Sequence, residues 1–134
     1  MNKKLLVRLF LIWLTFIPIA IINGSLRNYL YQPYLGELLS HQLSTLSASL
    51  FLFLTVYLYL KNILSSLSYK DTLLSGFILV LFTVAFEFIF GHYVIGHSWQ
   101  KLFADYDISQ GRIWSLFLLT MFFTPALLKR ILKK

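Results

Sequence analysis

Residues 72–90, TLLSGFILVLFTVAFEFIF, form a run of nineteen residues in which Glu87 is the one charged side chain. A helix needs about 20 residues, at 1.5 Å each, to cross the hydrocarbon of a bilayer. The run is long enough for this, and it is apolar on all sides, which favours a helix surrounded by lipid and other helices. This stretch therefore indicates a membrane protein.

Three further runs of the same kind lie at residues 5–22, 43–60 and 113–128. The whole chain of 134 residues is 58% hydrophobic and 13% charged, whereas soluble domains are about one-quarter charged. The sequence therefore predicts an all-α integral membrane protein, a four-helix transmembrane bundle in which the whole chain is one membrane domain. Two long outer loops are predicted, at about 23–42 and 91–112.

The basic residues predict which way the bundle faces, because Lys and Arg near span ends stay on the cytoplasmic side. One side of the predicted bundle carries nine of them: Lys3, Lys4, Arg8, Lys61, Lys70, Lys129, Arg130, Lys133 and Lys134. The other side carries only Arg27, Lys101 and Arg112, together with acidic residues. We therefore expect an N-in/C-in topology, with both termini cytoplasmic, in a bacterial or archaeal-type inner or plasma membrane.

Several function classes are disfavoured by composition. The net charge of +7 does not indicate nucleic acid, because the basic residues are scattered at the edges of apolar runs. The absence of cysteine excludes disulfides and thiol chemistry. No GxSxG or HExxH motif is present, and the sequence identifies no cofactor. The expected partners are membrane lipid and, since four helices make a thin wall, a second copy or a larger membrane complex.

Ionisable residues that the cytoplasmic charge rule does not explain gather at the outer end. The candidate residues for binding a ligand or ion are Glu87, Arg27, Arg112, His92, His97, His41, Asp105 and Asp107. Glu87 is predicted to lie about one turn below the outer boundary, where a bare carboxylate would cost several kcal/mol. It must be protonated or paired, and Arg27 and Arg112 are its natural partners. A structural ion pair and a proton or cation ligand are both open interpretations.

The two outer histidines suggest a metal site. Gly91-His92 and Gly96-His97 repeat a Gly-His pair five residues apart, which on a continuous helix rotates the second ring by about 140°. The rings can converge only if the helix ends near Gly96. They would then form a metal site of nitrogen and oxygen ligands together with Asp105, Asp107, His41 or Glu87. The spacing is not specific, and hydrogen bonding at the lipid headgroups is the simpler interpretation.

Local patterns add three expectations about packing. The second span carries small residues at helical spacing, which indicate close approach of another helix rather than a polar path: Ser40, Ser44, Ser47, Ala48 and Ser49. The short link at 61–71 predicts that the second and third spans are antiparallel neighbours. Pro125 is expected to end or kink the fourth helix.

Three functions follow from this sequence. The first is binding or transport of a proton, ion or small polar solute by the outer cluster. The second is an accessory subunit of a larger membrane complex. The third is a membrane enzyme acting on a lipid or isoprenoid headgroup, with His92, His97, Asp105 or Asp107 as acid, base or metal ligand.

Overall fold

The computed structural model describes residues 3–104 and 114–132. In chain order, these residues form α1 (Lys3–Leu26), a π-helical turn (Arg27–Tyr31), α2 (Gln32–Leu35), α3 (Glu37–Leu60), a 3-10 turn (Leu64–Ser66), α4 (Tyr69–Ile89), a second π-helical turn (Phe90–Val94), α5 (Trp99–Ala104) and α6 (Trp114–Leu132). Within these described residues, four helical stretches are long and apolar enough to cross a membrane. The all-helical class and the four spanning-length helices predicted from the sequence are confirmed.

The four long helices form a ring in the order α1, α3, α6, α4, in which each helix packs on two neighbours. Across the described residues α3 and α4 lie on opposite sides of this ring. The expectation that the two are neighbours is therefore wrong. The link between them crosses the end of the bundle, and its 3-10 turn packs against α6.

A hydrophobic core fills the bundle from its middle toward the end where α1 begins. On α1 the buried residues are Leu5, Leu9, Ile12 and Phe16, and on α3 they are Ala48, Leu52, Val56 and Leu60. Spacings of three and four place each set on one face of its helix. Fully buried side chains from α4 and α6 complete the core: Leu79, Phe117, Met121 and Leu128.

Helices α4 and α6 approach each other closely at Gly76. A Cβ at this position would lie 2.6 Å from the carbonyl carbon of Phe122 and 2.9 Å from its Cα. Thr72 and Ser75 are buried on the same face of α4. Small residues of this kind let helix backbones approach closely in a membrane protein, so α4 and α6 pack backbone against backbone.

Two cations form hydrogen bonds at the end of the bundle where α1 begins. We call this end the basic end. Arg8 donates from Nη1 to the carbonyl of Tyr59, in the last turn of α3, at 2.7 Å. Lys129 is buried, and its Nζ donates to the carbonyls of Leu64 and Ser65 at 3.1 and 3.4 Å. Carbonyls in the last turn of a helix lack partners within the helix, so Arg8 satisfies an acceptor that α3 leaves open. Lys129 binds the link that follows α3.

The prediction that residues 23–42 form a loop is wrong. The chain stays helical from Lys3 to Leu35, and α3 begins at Glu37. The break is Gly36, whose φ of 86° and ψ of 165° suit only glycine. The polar side chains here suggested a loop, but a helical backbone forms its own hydrogen bonds whatever its side chains are.

Two further expectations need correction. The predicted loop at 91–112 is partly helical, because the π-helical turn continues to Val94 and α5 follows. Residues 105–113 lie outside the described part of the chain. Pro125 does not end the fourth helix, since α6 continues through it to Leu132. The hydroxyl of Thr124 donates to the carbonyl of Thr120 just before the proline.

Candidate functional site

A cavity of about 300 Å³ lies at the opposite end of the bundle, between α1, α3 and α4. We call this end the cavity end. Its polar lining consists of Asn23, Arg27, His41, Ser44, Thr45 and Glu87, and its larger apolar lining residues are Phe16, Phe86, Phe88, Phe90, Ile95 and Leu102. Clefts of this size with a few convergent polar groups are typical of small-molecule sites.

Helical periodicity brings the lining together. On α1 and the turn after it, Phe16, Ala20, Asn23 and Arg27 follow one another at spacings of four, three and four, so they share one face. On α3, His41, Thr45 and Ala48 do the same. The end of α1 thus faces the beginning of α3, and the site lies between them.

Asn23 fixes the wall between α1 and α3. Its Nδ2 donates to the carbonyl oxygen of Ser44 at 2.8 Å and to Ser44 Oγ at 2.9 Å. Ser44 is buried, so these two hydrogen bonds join the helices inside the bundle. The side-chain carbonyl of Asn23 and the hydroxyl of Ser44 therefore have defined positions at the cavity.

Arg27 brings a permanent positive charge to the same wall. It is half-buried and begins the first π-helical turn. Its Nε donates to Oδ1 of Asn28 at 3.2 Å. Its guanidinium carries further N–H donors on Nη1 and Nη2, and Arg27 lines the cavity. These donors are the ones that a ligand in the cavity would meet.

Glu87 and His41 line this cavity with Arg27, so three of the eight residues proposed from the sequence come together. Both are half-buried. Arg112 lies outside residues 3–104 and 114–132, so its predicted pairing with Glu87 is not tested. The ion-pair and ligand interpretations of Glu87 both stay predictions.

His92 and His97 contact each other without forming a ligand pair. Nδ1 of His92 donates to the backbone carbonyl of His97 at 2.9 Å, and its ring stacks on Trp99 at 3.8 Å. Nε2 of His97 lies 3.5 Å from Nζ of Lys101. Gly96, with φ of 89°, ends the helical segment at the expected position. Neither histidine lines the cavity.

Metal-ligating groups do not assemble in the described ranges: no three side chains of His, Asp or Glu there come close enough to hold an ion together. Asp105 and Asp107, the carboxylates proposed to join the histidines, fall among the residues that the structure does not describe. The proposed metal site stays a prediction.

The cavity is closed toward the basic end. Phe16 lines the cavity and stacks on Phe117, with ring centroids 6.0 Å apart and planes 19° apart. Beneath this pair lie the fully buried Ile12, Leu52 and Val56. An aromatic floor and a packed hydrophobic core therefore separate the cavity from the other end of the bundle.

The sequence argument did not include Asn23, Ser44, Thr45 or the aromatic walls among the site residues. The spacing of four between Asn23 and Arg27 is a signal that places both on one helix face. The pairing of α1 with α3 could not be obtained from spacing, because it depends on the order of helices in the ring. The chain matches no protein-family model, no curated protein and no solved structure.

Proposed function

We propose that this chain is an integral membrane protein, with both termini in the cytoplasm, that binds a small polar solute carrying an acidic group in the cavity at its outer face. Support for the orientation comes from the distribution of charge. Of the described basic residues, only Arg27 and Lys101 are at the cavity end; the basic end carries Lys3, Lys4, Arg8, Lys61, Lys70, Lys129 and Arg130. Lys and Arg concentrate on the cytoplasmic side of membrane proteins.

The observation that carries the proposal is the position of Arg27 on the wall of a 300 Å³ cavity. A guanidinium offers several donors in a planar fork that matches carboxylate and phosphate oxygens. Charge interactions in a partly enclosed, largely apolar hollow are stronger than in water, because less solvent screens them. The cavity is thus suited to an anionic group.

Binding is favoured over transport by a single copy. A transported solute would have to pass the stacked pair of Phe16 and Phe117 and then the buried aliphatic core below it. Protein interiors are close-packed, so this region offers no path without rearrangement. Headgroup chemistry by His92 and His97 is less favoured, because neither ring lines the cavity and an acid or base must reach its substrate within hydrogen-bond distance.

Thermal unfolding in a neutral detergent tests the binding proposal. Wild type, Arg27→Gln, Glu87→Gln and the control Lys101→Gln would be melted with phosphate, phosphate monoesters and short carboxylates. A ligand at 100 times its Kd stabilises the folded state by about 2.7 kcal/mol. We expect a rise in melting temperature for wild type and Lys101→Gln, and none for Arg27→Gln.

The same melting series distinguishes the two interpretations of Glu87, a ligand-binding group and a member of a structural ion pair. A Glu87→Gln protein that folds normally and loses the ligand response places Glu87 in the binding site. Strong destabilisation of this variant, with no ligand response in wild type, would refute the binding proposal and identify a structural ion pair. Co-purification of a larger complex in mild detergent would then favour the alternative of an accessory subunit.

The chain has no cysteine, which makes the orientation simple to test. Gln100→Cys, at an exposed position of α5, and Asn62→Cys, at an exposed position of the basic end, introduce single thiols. A membrane-impermeant maleimide applied to intact cells should label Gln100→Cys, and should label Asn62→Cys only after lysis. The reverse pattern would overturn the proposed topology.

A further inference from the structure

A second hollow, wholly apolar, lies on the outside of the bundle beside the cavity. It is lined by Trp13 of α1 and by residues of α4 and the turn after it, namely Phe82, Ala85, Phe86, Ile89, Phe90 and Val94. We call it the α1–α4 groove. Its volume is about 340 Å³. It follows the seam at which neighbouring long helices make their least extensive contact.

The groove and the cavity share two walls. Phe86 and Phe90 line both, and their rings stack with centroids 5.1 Å apart. Trp13 closes the deeper part of the groove, with its ring 5.5 Å from Phe82 and 5.9 Å from Phe86. A polar, Arg27-containing site and an apolar, outward-facing site therefore lie side by side, separated by two stacked aromatic rings.

The dimensions of the groove match one membrane leaflet. From Phe82 to Val94 the chain rises about 18 Å at 1.5 Å per residue, and one leaflet contributes about 15 Å of hydrocarbon. The groove begins near the middle of α4 and ends at the cavity end. A hydrocarbon chain lying in it would thus run alongside the lipid chains, with its polar end at the level of the cavity.

We propose that the ligand of this protein is a single-chain anionic amphiphile, whose head group enters the cavity beside Arg27 and whose hydrocarbon chain lies in the α1–α4 groove. This inference rests on the proposed function and specifies the class of solute. Phosphate and carboxylate heads share the chemistry that Arg27 recognises. The adjacency of the polar cavity, with its Arg27 charge, to the apolar groove favours an amphiphile over a second helix, because a helix packed on the groove would not use the cavity.

Quenching of Trp13 fluorescence tests the position of the chain. The protein has three tryptophans, and Trp99→Phe with Trp114→Phe leaves Trp13 alone. This protein would be placed in nanodiscs of uncharged phosphatidylcholine and titrated with dodecyl phosphate brominated in mid-chain, since bromine quenches a nearby indole. The brominated dodecyl alcohol has the same chain without the charge. We expect saturable quenching by the phosphate at a mole fraction about tenfold lower than by the alcohol.

Variants test whether the cavity and the groove cause the stronger quenching by the phosphate than by the alcohol. Arg27→Gln should abolish the difference between phosphate and alcohol. Ala85→Phe should fill the groove and weaken quenching, whereas Leu81→Phe, an exposed position of α4 outside the groove, should leave it unchanged. Brominated dodecanoate replaces the phosphate head by a carboxylate, so a preference for either head identifies the source of the ligand and supports the inference.

Melting in the presence of ethyl phosphate, which has the head without the chain, separates this inference from the proposed function. If ethyl phosphate stabilises wild type as much as dodecyl phosphate and Trp13 is not quenched, the amphiphile is refuted and the solute-binding cavity stands. If neither phosphate stabilises or quenches, both proposals fail. Equal quenching by phosphate and alcohol, or a cross-linked dimer that covers Trp13, would also overturn the inference.

Discussion

Replacing Gly76 by alanine is expected to push α4 and α6 apart. A Cβ at Gly76 would lie 2.6 Å from the carbonyl carbon of Phe122, whereas ordinary contact begins at 3.4 Å. The two backbones would therefore have to separate by roughly 1 Å, since a carbonyl cannot rotate away as a side chain can. Overpacking of this kind costs about 1–3 kcal/mol. Alanine also favours a helix over glycine by about 1 kcal/mol, so we expect a net loss of about 1 kcal/mol.

Reversible unfolding measures this loss. The protein would be unfolded in mixed micelles of a mild detergent and dodecyl sulfate, with helicity followed by circular dichroism. Gly91→Ala is the matched control, because the three nearest atoms to a Cβ there all belong to the side chain of Leu102, of which Cδ2 is the nearest at 2.8 Å. That methyl group is the end of a flexible side chain, and its movement should keep the change within about 0.5 kcal/mol. A Gly76→Ala protein as stable as wild type would refute the close packing of α4 and α6.

Three other changes test single contacts by the same unfolding measurement. Lys129→Met keeps the buried stem and removes the hydrogen bonds to the link carbonyls, so it should cost about 2 kcal/mol; the exposed Arg130→Met should cost almost nothing, and equal effects would contradict the assignment. Asn23→Ala removes both hydrogen bonds to α3 and should cost about 1 kcal/mol, and no loss would show that these bonds contribute nothing. Gly36→Ala should cost about 1–3 kcal/mol through backbone strain alone, because nothing lies within 4 Å of its Cβ; Gly24→Ala, on helical backbone, should not.

Length and hydropathy were sufficient to predict four helices at their places in the chain, because each span must satisfy its backbone within an apolar solvent. The helix ends were harder to predict. Asn23 lies within α1, and Arg27 begins the π-helical turn that follows it, although both residues are polar. A polar side chain does not end a helix, because the helix is held by hydrogen bonds of its backbone. Of the two effects expected of Pro125, an end or a kink of the helix, the end does not occur: its missing N–H removes one hydrogen bond, and the packed helix continues past it.

The site was partly predictable. Charge counting placed Arg27, His41 and Glu87 at one end, and the structure lines one cavity with all three. The spacing of residues in the sequence could not predict the order of the helices around the ring. That order brings Ser44 of α3 to Asn23 of α1, and it places Phe86 of α4 between the polar cavity and the apolar α1–α4 groove. Each of these contacts joins residues that are far apart in the chain.

One end of the bundle is packed with hydrophobic side chains and the other contains a cavity. This difference predicts which backbone amides exchange hydrogen with solvent first. Residues 5–16 of α1 and 52–60 of α3 lie around the solid core, so their amides should exchange only when the whole fold opens. Residues 23–27 and 41–45 border a hollow and an irregular helical turn, so they should exchange through smaller, more frequent openings. A ligand in the cavity would slow exchange in these two segments first. Hydrogen exchange would therefore report whether the cavity is occupied.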